Sequence, residues 1–184
     1  MSVLKAQTPL TEEVIKNMII GTEVLLSGVI YTARDAAHQK LADLISKGQP
    51  LPLEPEGSVI YYVGPSPARP GGVIGAAGPT TSYRMDPYAP LLLENGVKGM
   101  IGKGGRSKEV IEACKKYTAV YFGATGGAAA LLSKSIEEAE VIAFEELGPE
   151  AIRKLKVKDM PLIVINDCRG DDLYSVGQKK WALL

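Results

Sequence analysis

The chain has 184 residues, 46% of them hydrophobic, and sets 21 Lys and Arg against 21 Asp and Glu. That length can bury a real core as one domain over residues 1–184, and the apolar content excludes a disordered chain. Zero net charge argues against broad nucleic-acid binding, which needs a basic face, and no apolar run approaches the ~20 residues of a membrane span.

Thr8-Pro9 and Thr11-Glu12-Glu13 carry helix-start chemistry for a short helix reaching Met18. Thr22 to Thr32, rich in Val, Leu and Ile, reads as a strand. Asp35 is placed to cap a helix whose apolar face includes Ala37, Leu41, Leu44 and Ile45, stopped at Gly48. The proline-rich segment from Gln49 to Gly57 is a loop. Ser58 to Val63 reads as a strand and Val73 to Ala77 as another. Asp86-Pro87 reads as an N-cap followed by proline at the first helical position, with that helix ending near Asn95-Gly96.

Lys98 to Ile101 is a short predicted strand, and Ser107 caps a helix to Tyr117. Thr118 to Phe122 is a buried strand, followed by a Gly-rich turn and an Ala/Leu helix from Gly127 to Ser133. Val141 to Phe144 and Pro161 to Ile165 read as further strands, with a short helix from Pro149 between them. Asp171 to Trp181 reads as an edge hairpin or tail. Strands alternating with helices predict an α/β domain with a largely buried sheet. The chemistry-bearing loops fall at predicted strand ends, where open α/β sheets bind ligands.

Three basic loops stand out in a chain without net charge. Gly78-Pro79-Thr80-Thr81-Ser82-Tyr83-Arg84-Met85-Asp86 gathers hydroxyls and a fixed cation behind a Gly-Pro turn. A guanidinium offers a rigid fork of donors to a carboxylate or phosphate, so this loop suits a small anion. Thr32-Ala33-Arg34-Asp35-Ala36-Ala37-His38 lies upstream, and Gly102-Lys103-Gly104-Gly105-Arg106-Ser107 downstream. A solvated surface lysine is the alternative, but a lysine framed by glycines, just before a helix N-terminus, is better suited to meeting an anion.

Lys103 is not a nucleotide P-loop lysine, because Gly104 follows it and no glycine stands at the required distance before it. Gly123-Ala124-Thr125-Gly126-Gly127 lacks the G-x-G-x-x-G pattern and reads first as a tight turn for close helix–sheet packing. A structural ion pair with Asp35 or Asp86 is the alternative role for Arg34. His38 is open between a packing histidine, the favoured reading, and a catalytic one. Thr80 is a poor base unless neighbouring cations make it more acidic, so its bare chemistry favours a hydroxyl contact to an anion. Asp167-Cys168-Arg169-Gly170-Asp171-Asp172 fits no calcium loop and defaults to a solvated turn.

Cys114 and Cys168, with the single histidine, have no metal-ligand spacing, so no metal site is expected within this chain. The N-terminal Met1-Ser2-Val3-Leu4-Lys5 lacks a signal-peptide shape, and a reducing cytoplasmic setting is the simplest expectation.

From Gly21 to about Tyr174 the chain resembles the β subunit of class I, iron–sulfur-dependent fumarases, and its relative, the β subunit of L(+)-tartrate dehydratase. The resemblance is carried by Ser27-Gly28, Thr32 to Asp35 with His38, Gly64-Pro65, Gly78 to Asp86, Gly102 to Ser107, Gly126-Gly127-Ala128-Ala129 and Glu146-Leu147-Gly148. It implies a swivelling β/β/α domain. It also implies a [4Fe–4S] cluster held by cysteines of a partner α subunit, in an α2β2 assembly, the cluster acting as a Lewis acid on a small dicarboxylate substrate. On the family pattern Thr80 would be the catalytic threonine that moves the C3 proton of malate. Arg34, Arg84 and Lys103 would bind the substrate carboxylates and stabilise the developing charge. Gly-Lys-Gly-Gly matches the tartrate dehydratase form and Arg106-Ser107 the fumarase form; fumarate is the first choice. A nucleotide-binding module and a non-catalytic scaffold are the competing classes.

Overall fold

The computed structural model describes residues 3–125 and 127–182. Its sheet contains seven strands: β1 (Leu4–Gln7), β2 (Glu23–Thr32), β3 (Val59–Tyr61), β4 (Gly99–Gly102), β5 (Val120–Gly123), β6 (Ile136–Ala143) and β7 (Ile152–Asn166). β2 to β5 run parallel, each beside the next. β7 lies antiparallel to β5 on one edge and to β2 on the other, so these strands close into a barrel-like ring. β1 fills the first half of the free edge of β2, and β6 the first half of the corresponding edge of β7.

Strand side chains alternate between two faces, and here both faces are buried. Val24, Leu26 and Ile30 of β2, Val59 and Tyr61 of β3, Ile101, Val120 and Phe122 pack into one cluster with Leu155, Val157 and Val164 of β7. The intervening residues Tyr31, Ile60, Met100 and Tyr121 belong to a second cluster. That cluster is covered by α2 (Asp35–Ser46), α3 (Ala89–Glu94) and α4 (Lys108–Lys116). In α4 the buried Val110, Ala113 and Cys114 fall at helical spacing, and Ser107 accepts from the Val110 N–H as the sequence predicts. The short α1 (Glu12–Lys16) is capped by Thr11 and stops at Asn17, one residue before Met18, which turns into the core.

Several predicted elements differ. Val73 to Ala77 is not a strand. It belongs to a Pro- and Gly-rich loop folded on Ser66, which accepts from Gly75 N–H through its carbonyl and from Ala76 N–H through its hydroxyl. Asp86 does not cap α3. The chain makes a tight 3-10 turn over Ser82–Met85, and α3 begins two residues after Pro87, because the Asp86 carboxylate is engaged elsewhere. Arg34, rather than Asp35, holds the N-cap position of α2, and Asp35 lies in its first turn.

The predicted helix from Pro149 is a 3-10 segment, Glu145–Glu150, that ends before β7. β7 then runs through Pro161 as one long strand. Residues 158–162 lie between the stretches paired to β6 and to β5, so on that edge the proline interrupts no ladder. β6 extends well upstream of Val141 because it follows β7. Residues 173–181 form α6 (Leu173–Trp181), not a hairpin, and Asp172 caps it by accepting from Tyr174 and Ser175 N–H. The Ala/Leu helix shortens to α5 (Ala129–Leu132). Among the described residues no helix is long and apolar enough to cross a membrane.

Candidate active site

The loops at the C-terminal ends of β2, β3 and β4 meet at one end of the ring. Thr80 N–H donates to the Tyr62 carbonyl, just past β3, at 2.7 Å. Lys103 N–H donates to the Thr80 carbonyl at 3.2 Å, and Ser82 N–H to the Lys103 carbonyl at 2.9 Å. The Thr80 loop and the Lys103 loop are therefore laced together through a parallel bridge between Thr81 and Lys103. Beneath them the buried Ser82 hydroxyl lies 2.8 Å from the Tyr121 hydroxyl, which donates to the Gly104 carbonyl at 2.9 Å. Gly102 is required there, since any Cβ would strike the Ser82 hydroxyl.

A second tie uses Asp86. Its carboxylate accepts from Arg106 Nε at 2.7 Å and from Ser107 N–H at 2.6 Å, at the start of α4. The Arg106 side chain is fully buried, its guanidinium 4.9 Å from the Tyr121 ring centroid and 5.4 Å from that of Tyr62. Arg106 is thus a brace under the loops rather than a group offered to a ligand.

The charged groups above this base form a chain of contacts. Arg84 Nη2 donates to the Thr80 hydroxyl and lies 3.2 Å from Asp35 Oδ2. Arg34 Nε donates to that same carboxylate oxygen, also at 3.2 Å. Arg34 Nη2 reaches Glu150 Oε1 at 3.0 Å, and Glu150 Oε2 accepts from Ala36 N–H in the first turn of α2. Arg34 Nη1 lies against Gly64, where a Cβ would approach it to 2.9 Å. The structure thus brings Arg34, Thr80 and Arg84 into one contiguous group and sets the Lys103 backbone directly beside Thr80. The Lys103 side chain is exposed and, among the described residues, takes part in no salt bridge. The expected Arg34–Asp35 ion pair is present, and Asp86 pairs with Arg106 instead.

His38 lies beneath the cluster, fully buried, with its ring edge-on to Tyr62 at 5.1 Å and Nδ1 3.3 Å from the Arg34 carbonyl. Burial pushes its pKa down to about 4, so the ring is neutral at physiological pH and packs rather than titrates. Sequence reasoning passed over Asp35 as a shared acceptor, Glu150, and the Tyr121 hydroxyl. Asp35 was legible from its place beside Arg34; the other two lie far along the chain and carried no local signal. The Gly123 to Gly127 turn is described except at Gly126, which lies outside the described residues. Gly123 is required there by the close approach of Ile165. Asp167 is buried rather than solvated: it accepts from Ile20, Arg169 and Asp171 N–H and organises its own turn.

The family model described as "Fumarase C-terminus" matches residues 2–177, and the chain belongs to that family. It is 44% identical over 158 residues to fumarate hydratase 2 of Leishmania major and 42% identical over 157 residues to the anaerobic class I fumarate hydratase of Escherichia coli K12. These alignments cover 85% and 84% of the chain but 28% and 29% of the relatives, so the chain spans less than a third of those proteins. It is also 37% identical to a putative L(+)-tartrate dehydratase subunit beta of Methanocaldococcus jannaschii, covering 93% of the chain and 91% of the relative.

Proposed function

We propose that residues 1–184 form a single domain that serves as the β subunit of an iron–sulfur hydro-lyase, hydrating fumarate reversibly to L-malate. It would work with a larger, cluster-bearing α subunit in a cytoplasmic α2β2 assembly. The single observation that carries the reading is the Arg34–Asp35–Arg84–Thr80 contact chain at the ends of the ring strands. In this reading Arg34, Arg84 and Lys103 bind the carboxylates of the diacid, and Thr80 moves the C3 proton. A threonine hydroxyl is a weak base, but a guanidinium donating to its oxygen favours the deprotonated form. The same cations would stabilise carbanionic charge spreading into a carboxylate. The swivelling β/β/α type would let this face close on its partner.

The chain's own thiols do not fit a cluster. Cys114 is fully buried in α4 and Cys168 is half-buried in a separate turn, and among the described residues no three His, Cys, Asp or Glu side chains gather as metal ligands. In this reading the cluster belongs to the partner subunit.

A second reading, the β subunit of an L(+)-tartrate dehydratase, is favoured by the near-complete length match to the Methanocaldococcus relative. Both substrates are dicarboxylates that the same cations would hold. The test is to purify this chain with and without the larger subunit, reconstitute the cluster anaerobically, and assay both fumarate hydration and tartrate dehydration. Activity only in the complex, with fumarate preferred, is the expected result. Comparable activity from this chain alone would overturn the two-subunit reading, and a tartrate preference would select the second.

A further inference from the structure

We infer that Asp35 is a positioning residue that sets the orientation of both active-site arginines, and through Arg84 the placement of the Thr80 hydroxyl. A single oxygen, Oδ2, accepts from Arg34 Nε and faces Arg84 Nη2, each at 3.2 Å. The same Arg84 nitrogen donates to Thr80. Asp35 is held in turn by its place in the first turn of α2, whose amide at Ala36 is tied to Glu150. Two long side chains from separate loops are thus registered on one short side chain in the first turn of a helix.

Magnitudes separate orientation from stability. The Asp35, Arg34 and Arg84 side chains are 35%, 27% and 37% exposed. Ion pairs at such exposure are screened and contribute little to folding. Each arginine is rich in rotamers, so holding both in one geometry before ligand arrives is the larger effect. Arg34 is steadied at its other end by Glu150; for Arg84 the described acidic contact is Asp35 alone. Asp35 therefore matters most for Arg84 and Thr80.

The inference rests on the hydro-lyase reading only in its kinetic arm. In reconstituted complex, Asp35→Asn keeps the size of the side chain but loses its charge. Turnover should fall by ~10- to 100-fold, as for a misplaced reacting group. KM for malate should rise by less than turnover falls, because both arginines keep their charge while losing their fixed orientation. A general structural defect would instead reduce the folded fraction, and a raised KM or a reduced folded fraction without the turnover loss would overturn the inference. Asp35→Glu restores charge but shifts it by one methylene, so it should rescue turnover only partly; full rescue would also count against positioning.

The second arm needs no activity. Side-chain ¹⁵N NMR of the isolated full-length chain should show hindered rotation of the Arg84 guanidinium, assigned by its loss in Arg84→Lys. In Asp35→Asn that rotation should become free. Unchanged hindrance would overturn the inference. If wild-type complex processes no dicarboxylate but the NMR contrast appears, the hydro-lyase reading fails and the positioning role stands.

Discussion

Arg84 commits one terminal nitrogen to both Thr80 and Asp35, and a planar fork is the group that can do this while keeping further donors for a ligand. Lysine preserves the charge but not the fork. Arg84→Lys is therefore expected to raise KM for the dicarboxylate ~10-fold with a smaller change in turnover, measured by steady-state kinetics of the complex. An unchanged KM would remove Arg84 from binding. His38 makes a different prediction, since its folded pKa of about 4 lies below the ordinary 6.5 through burial. Between those values the unfolded chain binds the proton and the folded chain does not, so stability falls as pH drops from 6.5 towards 4. The loss amounts to about 2 kcal/mol by pH 5. Denaturant unfolding at pH 7.5 and pH 5 should show that extra loss in wild type but not in His38→Gln; parallel losses would contradict it.

At the scale of elements, the two glycine-framed loops are held by groups that local pattern does not reveal. Tyr121 sits in the middle of β5, and its hydroxyl joins Ser82 of one loop to Gly104 of the other. Tyr121→Phe leaves two buried polar groups without that partner, at a cost of about 1–3 kcal/mol. Thermal unfolding should show the loss, and turnover should fall with it as the Lys103 turn loosens; an unchanged melting temperature would contradict the role. The same locality explains which elements were legible. Ser107 and Thr11 announce their helices because a cap acts within three residues. Asp86 carries the same signal, yet its carboxylate serves Arg106 and Ser107 across the loop, so tertiary demand overrides capping. Val73 to Ala77 has strand-like residues, but among the described residues no strand pairs with it, and Gly75 and Ala76 fold it on Ser66. In α6 the interior Gly177 masks a helix that Asp172 starts.

At the scale of the whole molecule, the α/β alternation was readable and the closure of the ring was not. Closure depends on β7 pairing with both β2 and β5, contacts between residues more than a hundred positions apart for β2. Lys158 and Asp159 interrupt the alternation of β7 at the shift in register opposite Leu26 and Gly28, and Pro161 follows, so only Pro161 to Ile165 reads as a strand and the half before it does not. The candidate site was more legible than the fold around it, because its residues lie in three short contiguous motifs. What those motifs could not give was Glu150, which reaches α2 from far along the chain. The ring presents these loops at one end, and in the proposed function that end works against a second subunit.

The most direct test of that function is fumarate hydration by the reconstituted complex with wild-type chain and with Thr80→Ala, each over a full range of substrate concentration. Wild type should be active, and Thr80→Ala should lose ~100- to 10,000-fold in turnover, the range of general acid–base catalysis, with KM little changed. Thr80→Ser should retain more activity than Thr80→Ala. Near-normal turnover in Thr80→Ala, with a raised KM, would contradict proton transfer by Thr80 and leave it a ligand-binding hydroxyl.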